Sequence, residues 1–180
     1  MTSGRAVTLN AVALYVISGI LLTAFYWQFA RSELPCPLCL LQRVAFAALA
    51  VGPVLTIRQG PKPQHLGMAI VAALAGAVIA GRQILLHIGP GDPGFGSTLL
   101  GLHFYTWAFL AFAGALLAAG VMLLIGPQNG SEARAPARGL FEDAGVWLVM
   151  ALVALNALSV LVQCGFSGCP SNPVHYELLG

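Results

Sequence analysis

Charge is what this chain has least of. Of its 180 residues, 8 are Lys or Arg and 6 are Asp or Glu, 8% in all, against about 25% in ordinary soluble domains. A water-soluble globule of this length needs more polar surface than these side chains supply. Disorder is excluded as well, because unfolded segments are charge-rich and poor in apolar residues, whereas 58% of this chain is hydrophobic. A formal net charge of +2 makes no basic patch, so no nucleic-acid partner is expected. Cysteine is scarce too, with four residues, none in the central apolar stretch of a hydrophobic run. Internal repeats and low-complexity tails are missing. An all-α integral membrane protein with little mass outside the bilayer is what these absences leave.

A spanning helix needs about 20 mostly apolar residues. The sequence offers such runs at 9–29, 39–57, 66–87, 102–125 and 145–162. Between them lie RSELPCP, RQGPKPQH, GPGDPGFGS and GPQNGSEARAPARGLFEDAG, whose Pro, Gly and charge clusters read as loops. The first run is longer than the apolar core of a signal peptide and no A-x-A cleavage site follows it, so it is expected to be a retained anchor. Whether the loop at 88–101 lies on the membrane as a short helix is left open by its composition.

Positive charge orients the spans. Arg31 lies in the loops on one side, whereas Arg5, Arg58, Lys62, Arg134 and Arg138 lie on the other, which is therefore expected to be cytoplasmic. The N-terminus is then cytoplasmic and the C-terminus faces away from the cytoplasm. Both cysteine pairs, Cys36/Cys39 and Cys164/Cys169, fall together on the non-cytoplasmic side, a coincidence that the charges alone do not require.

Cys36-Pro37-Leu38-Cys39 opens the second span. The unpaired N–H groups of a helix start favour an anion, so a thiolate there is stabilised and exchanges disulfides readily. Pro35 and Pro37 suit a helix beginning. Cys164 and Cys169 flank a spacer containing Gly165 and Gly168, which allows the tight turn that a short-loop disulfide requires. Redox-active pairs, static structural disulfides and a metal site all remain compatible with this spacing. A C-x-x-C closes so short a loop that it removes little chain entropy, which weighs against stability as its sole purpose.

Ionisable groups inside a span are expensive and suggest function. Arg43 sits four residues after Cys39, one turn deeper on the same helical face, with Gln42 beside it. A guanidinium there suits a thiolate or a reduced carbonyl cofactor. Arg82 and Gln83 lie late in the third span and His87 follows one turn on; His103, Tyr105 and Trp107 open the fourth. The bland readings are snorkelling for the arginines, belt anchoring for the aromatics and interface hydrogen bonding for the histidines. Taken together these residues form the polar rim expected around a quinone headgroup.

At this point the residues resemble a known family. LPCPLCLLQRVAF is similar to the signature of the disulfide-bond formation protein B (DsbB) family, and GRQILLH and LGLHFYTWAF resemble its third- and fourth-helix segments. The resemblance covers roughly residues 9–125. It implies a four-helix transmembrane bundle in the bacterial inner membrane that reoxidises a periplasmic thioredoxin-like, DsbA-type thiol oxidase and passes two electrons to membrane quinone, ubiquinone or menaquinone. By position, Cys36 and Cys39 match the quinone-proximal pair, with Cys39 the thiolate at the quinone and Arg43 the supporting arginine. His87 is a looser match to a residue near the quinone, and Gln42 and Arg82 are further candidates to bind it.

The chain departs from the family in one respect. The second cysteine pair of the family lies between the third and fourth spans, where this sequence has none. A fifth span is added, and a cysteine pair follows it. The expected organisation is therefore a DsbB-like bundle at 1–125, a cytoplasmic linker at 126–144, an additional transmembrane helix at 145–163 and a periplasmic tail at 164–180, with Cys164/Cys169 replacing the missing pair. Which of the two meets the partner is not set by the family pattern. Competing readings are a membrane metal-binding protein using the four cysteines, a structural membrane protein with inert disulfides, and a vitamin-K-epoxide-reductase-like enzyme, whose C-x-x-C usually lies late in the bundle.

Overall fold

A computed structural model describes residues 3–125, 138–166 and 168–179. Among these residues, five helices are long and apolar enough to cross a membrane: α1 (Ser3–Ala30), α2 (Pro37–Gln59), α3 (Pro63–Leu86), α4 (Phe104–Ile125) and α5 (Leu140–Cys164). The chain is an all-α membrane-spanning protein. Its four-helix bundle, α1–α4, carries α5 as an additional helix packed on α1 and more lightly on α2.

Local chemistry sets the helix starts. Pro37 and Pro63 occupy first-turn positions, where proline's missing N–H costs nothing and its fixed φ favours the helix. α5 starts at Leu140, so residues 140–144, assigned by composition to the linker, are helical. Glu142 accepts a hydrogen bond from the Gly139 amide at 3.0 Å. Glu142 and Asp143 both lie in the first turn, where negative charge complements the helix dipole. The acidic residues that looked like loop are a helix start. The rest of the expected linker, 126–137 with Arg134, lies outside the described residues.

Packing follows the small residues. The Phe112 ring lies against Gly76, where a Cβ would run into the ring, and Phe112 stacks on Phe46 with ring centroids 4.1 Å apart. These contacts join α2, α3 and α4. The outward face of α3 presents Val71, Val78 and Leu85, all largely exposed and seven residues apart, as a lipid-facing stripe requires. Its inward face runs through Ala73, Gly76, Ala80 and Gln83.

The alternating helices bring the ends of α1, α3 and α5 and the starts of α2 and α4 to one end of the bundle, called here the cysteine end. α1 and α5 run parallel: Thr8 bonds Glu142 at the far end, and Gln28 bonds Ser159 near the cysteine end. The loop between α3 and α4 is not a helix. It makes a turn in which the Gly94 amide donates to Asp92 Oδ1 at 2.8 Å, then a hairpin of β1 (Thr98–Leu99) and β2 (Leu102–His103). The hairpin turn places Leu100 and Gly101 at φ 53° and 81°, the two positive φ values of the turn that matches strand twist. Trp107 Nε1 donates to Leu99 O at 2.9 Å, and Glu33 accepts from the amide and the hydroxyl of Ser97. The loop is thereby fastened across the cysteine end.

Candidate functional site

Two disulfides stand at the cysteine end, Cys36–Cys39 and Cys164–Cys169, with Cα separations of 5.0 and 4.6 Å. Cys36 is the N-cap of α2, and its sulfur accepts from the Cys39 amide at 3.1 Å. This is the placement that stabilises a thiolate. Cys36 is buried, whereas Cys39 is half-buried and lines a cavity of about 820 Å³. That cavity lies between α1, α2 and α4, under the α3–α4 loop. Leu21, Trp27, Phe46, Phe104 and Ala108 give it apolar walls, and Gln42, Arg43 and Tyr105 add polar groups. Asn172 and Pro173 of the C-terminal tail also reach it.

Arg43 is buried, 7% exposed, and its partners are explicit. Its Nη1 donates to Gln28 Oε1 at 2.6 Å and its Nη2 to Ala24 O at 3.0 Å. Its guanidinium carbon lies 5.2 Å from the centre of the Phe25 ring, within cation–π range. Gln28 Nε2 donates onward to Ser159 Oγ of α5 at 2.8 Å and to the Tyr176 hydroxyl at 3.4 Å. A chain of buried polar groups therefore runs from the cavity through α1 to α5 and the tail.

Four expected site residues come together: Cys36, Cys39, Gln42 and Arg43. Gln42 Nε2 donates to Gln83 Oε1 at 2.7 Å, and Gln83 reaches both sulfurs of the C-x-x-C pair. Arg82 does not join them. It is exposed on the outer side of α3, one residue and about 100° of helical rotation away from Gln83, and it makes no hydrogen bond or ion pair among the described residues. His87 caps the end of α3 and pairs with Asp92 at 3.2 Å. Its ring stacks on Tyr105 at 5.8 Å, so it touches the cavity through a lining residue. The Gly94 amide and then the His87 ring hold the exposed Asp92 carboxyl below the usual carboxylate range.

The second pair lies close by. Cys164 ends α5 and is buried, and Cys169 is half-buried. The residue before Cys164 contacts the residue before Cys36: Gln163 Nε2 donates to Pro35 O at 2.7 Å. The tail folds back on the same helix end, where the Glu177 and Leu178 amides donate to Gln163 O and Val162 O. Sequence reasoning missed Gln28, Ser159, Gln163 and Tyr176. The signal it could have used is the amide side chains of Gln28 and Gln163, which are costly inside apolar runs unless partnered. Among the described residues, no group of three or more His, Cys, Asp or Glu is arranged to hold a metal ion.

A multi-pass helical membrane protein with one disulfide beside an intramembrane cavity and a second at the same end of the bundle is the class that fold and site define. The match to known proteins is more particular. The family model "Disulfide bond formation protein DsbB" matches residues 6–95. A Disulfide bond formation protein B from Hahella chejuensis is 30% identical over 159 residues, covering 84% of this chain and 89% of that protein. Proteins of the same name from Herminiimonas arsenicoxydans and Nitrosomonas eutropha are 40% and 38% identical over shorter stretches, 50% and 38% of this chain. Those shorter matches span 57% and 45% of the relatives' own length, about half. No solved structure gives a significant match. The chain belongs to the DsbB family. Cys36, Cys39, Arg43 and His87 lie inside the matched family segment, and Cys164 and Cys169 lie beyond it.

Proposed function

We propose that the protein is a thiol:quinone oxidoreductase of the bacterial inner membrane that reoxidises a periplasmic, DsbA-type thiol oxidase. α1–α4 form the quinone-binding unit, and α5 with the tail brings a second cysteine pair to it. The N-terminus and the loop after α2 face the cytoplasm, in keeping with Arg5, Arg58, Lys62 and Arg138 at that end. The observation that carries this reading is the Gln163–Pro35 hydrogen bond, which holds the start of one cysteine pair against the start of the other.

The cavity suits a quinone. Its walls accept a flat apolar ring, while Arg43 and Gln42 offer donors to carbonyl oxygens beside Cys39. Arg43 has five N–H groups and uses only part of them on Gln28 and Ala24. When bound, a quinone supplies a two-electron acceptor; ubiquinone and menaquinone both meet that requirement.

The chain's own residues do the rest. A partner thiolate attacks Cys169, the more exposed of the tail pair, and Cys164 leaves as a thiolate. The partner's second thiol then displaces Cys169, so the partner departs as a disulfide and the tail is left as a dithiol. The Cys164 thiolate attacks Cys36, the Cys36–Cys39 bond breaks, and its electron pair stays on Cys39. Cys169 next displaces Cys36 from Cys164, restoring the tail disulfide. Cys36 and Cys39 reclose after giving up two electrons at the cavity, with Arg43 holding the negative charge that develops there. Relative reduction potentials set the direction, and about 30 mV already corresponds to roughly 1.4 kcal/mol for a two-electron couple.

The test is quinone reduction by the purified protein, with a reduced DsbA-type partner as electron source. Turnover is expected in the wild type and lost in both Cys36→Ser and Cys164→Ser. Loss in Cys36→Ser alone would make the tail disulfide structural and overturn the relay. Failure of the wild type with either quinone would overturn the activity.

A further inference from the structure

Gln83 is 2% exposed, lies in the last turn of the apolar helix α3, and is used by no step above. Its Nε2 stands 3.3 Å from Cys36 Sγ and 3.5 Å from Cys39 Sγ. The two sulfurs are bonded to each other, so one N–H of this amide is directed at both of them. Its Oε1 is taken by the Gln42 amide at 2.7 Å, which fixes the amide plane. Arg43, the residue that sequence reasoning placed beside the thiolate, makes no hydrogen bond to either sulfur. Its guanidinium donates instead to Gln28 Oε1 and Ala24 O. Among the described residues, the side-chain donor in contact with the reacting sulfurs is Gln83.

We propose that Gln83 is a catalytic residue, the preorganised hydrogen-bond donor that stabilises negative charge on the Cys36–Cys39 sulfurs when that disulfide opens. This rests on the reading of Cys36–Cys39 as a redox-active pair. A disulfide sulfur is a weak acceptor, so the contact contributes little while the bond is closed. When an incoming thiolate forms a bond to Cys36 Sγ, the Cys36–Cys39 bond breaks and the electron pair remains on Cys39. The same N–H then donates to an anion, and a charge-assisted bond is roughly twice as strong as a neutral one. No proton is transferred and Gln83 does not titrate. Its contribution is differential: it favours the opened state over the closed one, as donors fixed at developing charge do. Cys36 has a second donor, the Cys39 amide, belonging to the helix start. Gln83 is what extends the same support to Cys39.

The experiment uses the full chain in detergent carrying Cys164→Ser and Cys169→Ser, so that only Cys36 and Cys39 react. After reduction, alkylation by iodoacetamide is followed as a function of pH. Gln83→Leu is expected to raise the midpoint by about one pH unit, equivalent to ~1.4 kcal/mol. It should also make the pair about tenfold harder to reduce in a dithiothreitol redox buffer, a shift of ~30 mV to more negative potential. Gln83→Glu keeps the size of the side chain but replaces the donor by an acceptor, and should shift both in the same direction by more. An unchanged midpoint in either folded variant overturns the assignment. In the wild type, which needs no substitution to tolerate, the Gln83 side-chain amide proton should move downfield in the NMR spectrum when Cys36–Cys39 is reduced. A stationary resonance likewise overturns the assignment. Neither readout contains quinone or partner. A shifted midpoint with no quinone turnover therefore supports Gln83 and refutes the acceptor, whereas normal turnover with an unshifted midpoint refutes Gln83 alone.

Discussion

Removing the Arg43 guanidinium gives the sharpest view of how the cavity works. The side chain is buried, bonded to Gln28 and Ala24 O, and part of the cavity lining. In the proposed function, its remaining N–H groups are the charged donors that a quinone oxygen would meet. A hydrogen bond to a charged group contributes about 1.5–3 kcal/mol, and each 1.4 kcal/mol is tenfold in affinity. Arg43→Ala should therefore raise the quinone concentration for half-maximal turnover by about 10- to 100-fold. The partner concentration for half-maximal turnover should not move, because in the proposed relay the partner meets the tail pair, and neither tail cysteine lines the cavity. The substitution also strips Gln28 Oε1 of its donor, at about 1–3 kcal/mol for a buried group left unsatisfied, whereas Ala24 O, inside α1, keeps its helical partner. Melting of the variant in detergent must accordingly be measured alongside. Arg43→Lys is the control: it keeps the charge and loses the two-pronged donor, so its quinone dependence should fall between wild type and alanine. The assay is a quinone titration at saturating reduced partner, monitored by quinone absorbance. A folded Arg43→Ala protein with unchanged quinone dependence would refute the role given to this residue.

Two further outcomes follow from the packing. Gln163→Leu removes one neutral hydrogen bond to Pro35 O, worth about 0.5–1.5 kcal/mol. It should slow reduction of Cys36–Cys39 by the tail dithiol several-fold in stopped-flow traces while leaving the partner-to-tail step unchanged. Gly76→Ala drives a Cβ into the Phe112 ring, and overpacking of this kind costs about 1–3 kcal/mol. A lowered melting temperature is expected, and an unaltered one would mean that α3 and α4 adjust freely.

Much of this was legible in the sequence because hydropathy and charge act locally. The five apolar runs became five helices, and the four-residue step from Cys39 to Arg43 placed both at one cavity. Depth along a helix was legible, but rotation about its axis was read less well. Arg82 and Gln83 stand at the same depth, yet only Gln83 continues the inward series Ala73, Gly76, Ala80. That period was present in the sequence and marks Gln83 rather than Arg82 as the residue that turns toward the sulfurs. The Gln28–Ser159 and Gln28–Tyr176 contacts were not legible at all. They join residues 131 and 148 positions apart; the alternation of spans makes α5 parallel to α1, but no local pattern specifies that it packs beside it. Composition also mistook the acidic start of α5 for linker, because charge near a helix N-terminus looks like loop until its capping role is seen.

The relay from the tail to the C-x-x-C pair is tested most directly by trapping it. In a Cys39→Ser, Cys169→Ser protein, Cys36 and Cys164 keep their sulfurs and lose the partners that would resolve a bond between them. On mild oxidation of the membrane-embedded full chain, peptide mass spectrometry should find a Cys36–Cys164 disulfide within single molecules. Cys36 and Cys164 recovered as separate thiols, or Cys36 bound only to the added partner, would contradict the relay and leave the tail disulfide as a structural clasp.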